Sequence, residues 1–376
     1  MSFLPLCKPW ITEDDIAAVT DVMRAGQIGG DGPQCRELEK LLQERLGVPR
    51  VLLVTSCTSA LDLAVMTIDL RPEDEIILPS FTFASTATCI TQRFGKPVFV
   101  DIEPDTFNID PELIEAAITP RTKAIMVMHY SGHACRMEEI NAIAAKHGLS
   151  VLEDAAHGID AYYRGRELGT LGRLGALSFH YTKNVVAGEG GALVCMTEED
   201  ARRAEIAREK GTNRAEFLRG EVNKYGWVAP GSSFVISNIL GALALEQFKR
   251  VEWITRRRIE IAEYYLRELA EVVEVALPVT HEYAQTNWHL FALRVPRKLR
   301  NPLIAEMKQR GVGADSHYLP LHSSRYGLEL GSKVEDCPVS EEAAETILRL
   351  PLYPQMAEDE PQRVVEALKE GIAALK

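Results

Sequence analysis

The chain has 376 residues, 46% of them apolar and 26% charged, and a formal net charge of -12. This length suits two domains, or one large and one small, and the composition is that of an ordinary globular chain. So acidic a balance excludes a general nucleic-acid binder, which needs a basic face, but it allows a small anion held by a few local cations.

The N-terminus MSFLPLCKPWITEDD has no basic segment followed by an apolar run, so no secretory signal is expected. From about residue 50 to 200, short β-branched runs alternate with helical patterns. VLLV (51–54), EIIL (75–78), PVFVD (97–101), KAIMVMH (123–129), SVLED (150–154), ALSF (176–179) and GALVC (191–195) read as strands. They are continuously apolar, as strands covered on both faces must be. TSALDLAVMTI, PELIEAAI and MEEINAIAAKHG read as helices between them, the last stopping at His147-Gly148. The pattern predicts an α/β domain with a mostly parallel sheet. From Ser233 the character changes. SNILGALALEQFKRVEWITRRRIEIAEYYLREL predicts a long helix broken once near Lys249-Arg250. A smaller α+β region should follow, with a strand at HLFALRV and helices at PLIAEMKQR, EEAAETIL and PQRVVEALKEGIAAL. The expected division is 1–250 for the large domain with the N-terminal segment, and 251–376 for the small one.

The seven cysteines (7, 35, 57, 89, 135, 195 and 337) include no CxxC pair. Neither a zinc site nor a disulfide framework is expected, and a reducing cytoplasm is the predicted location. No apolar run is long enough to span a membrane.

Ligands of such sheets sit beyond the carboxyl ends of the strands, and there the sequence places ionisable and hydroxylated groups. Thr55-Ser56-Cys57-Thr58-Ser59 after the first strand offers free N–H groups and a helix dipole, a site for an anion such as phosphate. Taken alone it reads more simply as an N-cap. Asp154 ends a buried strand, where a carboxylate is costly unless it caps the next helix or faces a cation such as a protonated ring nitrogen. Phe83, in PSFTFAST, is either core or an aromatic face for a flat ring. Lys183 follows the strand ending at Phe179 and precedes three glycines (188, 190 and 191). It is either a solvated loop lysine or an amine whose pKa is lowered at an apolar pocket and which is therefore nucleophilic. Phosphate cup, ring-nitrogen carboxylate, aromatic stacker and nucleophilic lysine together are the parts of a pyridoxal phosphate site.

The motifs GDGPQCRELEK, TSCTSALDLA, LPSFTFASTA, EDAAHG, LSFHYTKNVVAGEGGAL, REKGTNRAEFLRGEVNKY and HYLPLH carry a resemblance over nearly the whole chain. The sequence is similar to the DegT/DnrJ/StrS sugar-nucleotide aminotransferases, enzymes of pyridoxal phosphate fold type I. The block Arg208–Ser233 resembles the dTDP-4-amino-4,6-dideoxygalactose transaminase subgroup, and relatives making the glucose configuration fit almost equally well. The resemblance implies a large α/β domain and a small C-terminal α+β domain. It puts Lys183 where the family bonds its cofactor, Asp154 at the ring nitrogen and His157 at the ring oxygen. Phe83 matches the stacking aromatic, and Cys57, Thr58 and Ser178 match the phosphate cradle.

Many members read GxNxR where this chain has Gly231-Ser232-Ser233-Phe234-Val235, their Asn reaching the phosphate from a neighbouring subunit; Ser233 is the candidate substitute. Lys183 separates the chain from the family's dehydratase branch, where histidine stands instead. The reaction implied is amino transfer from glutamate to C4 of a dTDP-4-keto-6-deoxyhexose in a homodimer with active sites at the interface, the pyridoxamine phosphate form carrying the nitrogen between half-reactions. Among the cations of residues 208–224, Lys210, Arg214 and Arg219 become substrate or interface contacts on this resemblance, although alone they read as a solvated mixed-charge loop. His317 and His322 are either core histidines or contacts lining the sugar pocket. No metal site is expected. The alternatives are amination at C3 or of a UDP-sugar, and a non-catalytic nucleotide-sugar binder. A dinucleotide oxidoreductase is disfavoured, since no GxGxxG follows a strand.

Overall fold

A computed structural model describes residues 2–376. Seven strands form the central sheet: β1 (Arg50–Val54), β2 (Glu75–Pro79), β3 (Lys96–Val100), β4 (Thr122–Met128), β5 (Ser150–Asp154), β6 (Leu174–Ser178) and β7 (Gly191–Cys195). Their order is β1-β7-β6-β5-β4-β2-β3. Only β7 runs antiparallel to its neighbours, so the sheet is mostly parallel, as the apolar runs predict.

Side chains alternate across the sheet, and both faces are dry. Leu52, Val54, Ile76, Leu78, Ala124 and Met126 pack on one side with the helices Cys57–Thr67 and Glu198–Arg208. Val51, Leu53, Ala192 and Val194 face the helices Pro33–Leu46 and Asn238–Phe248 on the other. Ile125, Val127 and Val151 meet Met137–His147. That helix ends where expected: Gly148 takes the left-handed C-cap (φ 67°) and donates to Ala144.

The long C-terminal helical pattern is two helices, Asn238–Phe248 and Val251–Leu269. Around the break, Gln247 and Arg250 both donate to the buried Asp15 carboxylate, and the Arg250 guanidinium lies 5.0 Å from the Trp10 ring centroid. Beyond it a second apolar cluster forms around the antiparallel pair β8 (Phe291–Arg294) and β9 (Ile347–Leu350), with the helices Arg297–Gln309 and Glu360–Ala374. Leu4 from the N-terminal segment is buried in this second cluster, held by backbone bonds to Gly311 and Gly313. The expected helix EEAAETIL is cut short at Thr346, and Ile347 begins β9. A short apolar run such as ILRL suits either period; pairing with β8 decides it.

Strand register positions the site. Gly191 at the start of β7 is paired with both Val54 and Ser178, the last residues of β1 and β6, and Asp154 at the end of β5 is paired with Ala176 of β6. Three strand ends therefore open on one place.

Candidate active site

A cavity of about 400 Å³ lies beyond these strand ends. At one end is the N-terminus of the helix Cys57–Thr67. Ser56 caps it by accepting from Ser59 N–H at 3.0 Å. The N–H groups of Cys57 and Thr58, in the first turn, have no acceptor within the helix. Thr58 Oγ1 is 2.7 Å from Ser85 Oγ, and Ser178 Oγ accepts from His180 N–H at 3.3 Å, which leaves its own proton free to donate. Cys57, Thr58, Ser85 and Ser178 all border the cavity. This cup depends on glycine at 191, where a Cβ would lie 2.6 Å from Cys57 N.

Asp154 is 3% exposed. Its Oδ2 accepts from Thr86 Oγ1 at 2.8 Å and its Oδ1 from Ala156 N–H at 3.1 Å. Burial raises its pKa above the usual carboxylate range, against the lowering effect of these donors and of the Lys183 charge. Lys183 sits in the loop joining β6 to β7, which is closed by Tyr181 N–H on Gly188 O and Ala187 N–H on Phe179 O. Gly188 takes φ 85°, a backbone conformation that glycine allows without strain. The Lys183 amine borders the cavity, and burial lowers its pKa to about 8, although Cys57 and Asp154 pull the other way.

His157 is buried, and its Nδ1 accepts from Ser131 N–H at 3.2 Å, so the proton of the neutral ring sits on Nε2. Burial holds its pKa well below the ordinary value, with Lys183 and His289 adding to the effect. His289 lies against it, ring centroids 4.1 Å apart, and its Nδ1 is 3.0 Å from Asn184 Oδ1. Phe83 stands at the cavity with 58% of its surface exposed. His317 stacks on Tyr318 at 4.1 Å, and both border the cavity.

Other expected residues lie elsewhere. His322 is fully buried away from the cavity, its ring between Ser80 Oγ (2.5 Å) and Val334 O (3.1 Å). Ser233 is exposed in this chain, its backbone bridged to Glu209. Lys210 is paired with Glu209, and Arg219 with Glu205 and Glu221. Arg214 is exposed, and none of these three cations borders the cavity. Arg208, from the same cationic stretch, is buried and donates to Glu39, Asp31 and Leu53 O. Conversely, Thr86, His289, Tyr318 and Arg349 belong to the site or its support without having been expected. Arg349 had a visible signature, a lone charge inside the apolar run ILRLPL.

The residues present fit pyridoxal phosphate. The helix N-terminus and hydroxyls suit a phosphate, the buried Asp154 carboxylate needs a cationic partner, and Lys183 is an amine without a hydrogen-bonded carboxylate. His157 offers an N–H donor beside them.

Comparison with known proteins agrees. The chain is 36% identical to the spore coat polysaccharide biosynthesis protein SpsC of Bacillus subtilis, over 98% of this chain and 97% of that protein. Its fold matches the aminotransferase TlmJ of Streptoalloteichus hindustanus with a TM-score of 0.93 at 29% identity, both chains covered in full. It also matches Spr1654 of Streptococcus pneumoniae, a proposed sugar aminotransferase solved in its PLP form, with a TM-score of 0.92 at 27% identity over 100% and 99% of the two chains. The DegT/DnrJ/EryC1/StrS aminotransferase family matches residues 9–369. The chain belongs to this family, and it is an aminotransferase of the pyridoxal phosphate class.

Proposed function

We propose that this enzyme transfers the amino group of glutamate to C4 of a dTDP-4-keto-6-deoxyhexose, giving a dTDP-4-amino-4,6-dideoxyhexose. The reading rests on one observation above all: an amine of pKa about 8 shares a cavity with a buried carboxylate and a free helix N-terminus.

Bound in this cavity, pyridoxal phosphate supplies an aldehyde that bonds amines and a ring that accepts electrons from an adjoining carbon. Cys57 and Thr58 N–H, with the Thr58 and Ser178 hydroxyls, would hold the phosphate. Asp154 would place a negative charge at the ring nitrogen, in surroundings where low polarity strengthens its attraction for a cation. His157 Nε2–H would donate to the ring oxygen, and Phe83 would cover one ring face. Lys183, neutral over part of the physiological range, is the residue that would hold the aldehyde. The same amine would serve as the base and acid that moves a proton at the donor's α-carbon and at sugar C4.

Several further assignments belong to the same proposal. Exposed Leu218, Trp227 and Val228 suit burial against a second copy of the chain, in a homodimer that brings Lys210, Arg214, Arg219 and Ser233 to a neighbouring site. The division at residue 250 follows the helix break. Seven free cysteines suit a reducing cytoplasm, and among the described residues no helix is long and apolar enough to cross a membrane.

The test is a product assay with dTDP-4-keto-6-deoxyglucose and glutamate, C4 configuration being assigned by NMR, with borohydride fixing the cofactor in a separate sample because that reduction ends turnover. Nitrogen at C4 and label on Lys183 are expected. A protein that binds no pyridoxal phosphate overturns the reading, and nitrogen at C3 or turnover only with UDP-sugars corrects the substrate.

A further inference from the structure

Tyr130 does not border the cavity, yet it packs against two histidines that do. It begins the turn after β4 and is 1% exposed. Asn108 pins that turn from both sides, accepting from Tyr130 N–H at 2.8 Å and donating to His133 O at 3.1 Å. Phe81 and Phe107 hold the phenol ring edge-on, each with its centroid 5.6 Å away. The rings of His157 and His317 stand against it at 6.1 and 6.0 Å.

The hydroxyl decides more than packing. It lies 3.3 Å from His317 Nδ1, and among the described residues it has no other hydrogen-bond partner. A buried O–H proton without an acceptor is costly, so Tyr130 donates and Nδ1 accepts. Burial pushes the phenol's pKa up, which keeps that proton in place. The His317 ring is neutral, since burial and the charges of Arg349 and Lys183 push its pKa down to about 2. A neutral ring that accepts at Nδ1 carries its one proton on Nε2. That nitrogen makes no hydrogen bond among the described residues, and the ring borders the cavity.

We propose that Tyr130 is a positioning residue, whose hydroxyl fixes His317 in the tautomer that offers Nε2–H to an uncharged oxygen of the sugar. The inference rests on the aminotransferase reading above and adds to it a residue behind the cavity wall. The Lys183 charge reaches His317, so whatever reacts at Lys183 meets this donor. Glutamate brings only carboxylate oxygens, which are best met by a cation. The keto sugar brings ketone and hydroxyl oxygens, acceptors that a neutral N–H matches. A ring free to hold its proton on Nδ1 would turn a bare nitrogen lone pair toward those oxygens and repel them.

Tyr130→Phe keeps the ring and removes the hydroxyl. In full-length holoenzyme isotopically labelled at the side-chain nitrogens of its nine histidines, loss of signals on substituting His317 assigns that ring. Nitrogen NMR should show wild-type His317 protonated at Nε2, and should show exchange between both tautomers in Tyr130→Phe. The kcat/KM for the sugar nucleotide should fall about 3- to 10-fold, as expected for one neutral hydrogen bond. Single-turnover conversion of the bound cofactor by glutamate, followed by absorbance, should stay within about twofold of wild type. On a His317→Ala background, Tyr130→Phe should change the sugar kcat/KM by less than about twofold, because the residue through which it acts is gone. A wild-type His317 protonated at Nδ1 overturns the inference, and that result needs no variant to fold. Equal losses in the two half-reactions overturn it too, as does an undiminished Tyr130→Phe effect on the His317→Ala background. If the wild type aminates no dTDP-sugar, the proposed substrate fails instead, and the nitrogen shifts still decide whether Tyr130 sets the tautomer.

Discussion

The hydroxyl of Thr86 controls the charge on which the chemistry depends. Thr86 is buried, and its single proton goes to Asp154 Oδ2 at 2.8 Å. The 2.8 Å contact with Thr82 Oγ1 must therefore have Thr82 as its donor, so the two threonines form a relay ending on the carboxylate. Asp154 has only one further donor, Ala156 N–H. Thr86→Val keeps the shape and removes one of these two hydrogen bonds. A hydrogen bond to a charged group contributes about 1.5–3 kcal/mol, equivalent to about 10- to 150-fold in an equilibrium. Burial already raises the Asp154 pKa and the Thr86 donor lowers it, so the substitution raises it further. Because the ionised carboxylate is the working form, activity should fail at a higher pH on the acid side, and kcat/KM near neutrality should fall about tenfold or more. The assay is the pH profile of kcat/KM together with the absorbance of the bound cofactor. Thr86→Ser, which restores a hydroxyl, should recover both and so exclude a packing defect. An acid limb unmoved in Thr86→Val would refute the relay.

Capture of pyridoxal phosphate by the apoenzyme should accelerate as pH rises through about 8, because Lys183 is protonated below that value and nucleophilic above it; stopped-flow absorbance that keeps rising to the ordinary lysine range would contradict this. Gly191→Ala would push a Cβ to 2.6 Å from Cys57 N and 2.7 Å from Leu177 O. Dialysis should then release the cofactor at least about tenfold more readily, with a stability loss of about 1–3 kcal/mol. Arg208→Ala leaves Glu39 buried without its cation and should lower unfolding free energy by about 3–5 kcal/mol in urea titrations. Arg214→Ala, at an exposed position, should stay within about 0.5 kcal/mol.

Much of this was legible in the sequence because the site's central parts follow strand ends. Asp154 closes β5, Lys183 follows β6 and the hydroxylated cup follows β1, so a rule about parallel sheets finds all three. The rest depends on tertiary contacts between distant segments. His289 reaches His157 across more than a hundred residues, and Tyr318 and Arg349 come from the C-terminal region. His317 and His322 look alike in HYLPLH, yet one borders the cavity and the other is buried against Ser80. Chain direction over five residues decides that, and no periodicity reports it. Arg208 misleads for the opposite reason: it sits in a cationic run, but Glu39 and Asp31 draw it into the core.

The pairing of Lys210 and Arg219 with glutamates has a kinetic corollary. On a chain of net charge -12, cations already neutralised by neighbours exert little pull on a distant dianion. A nucleotide sugar diffusing in from bulk solvent meets mild repulsion first, and favourable contacts only after entry. Added electrolyte shortens the reach of that repulsion, so encounter should quicken with ionic strength, opposite to the behaviour of enzymes that draw in their anions by long-range attraction.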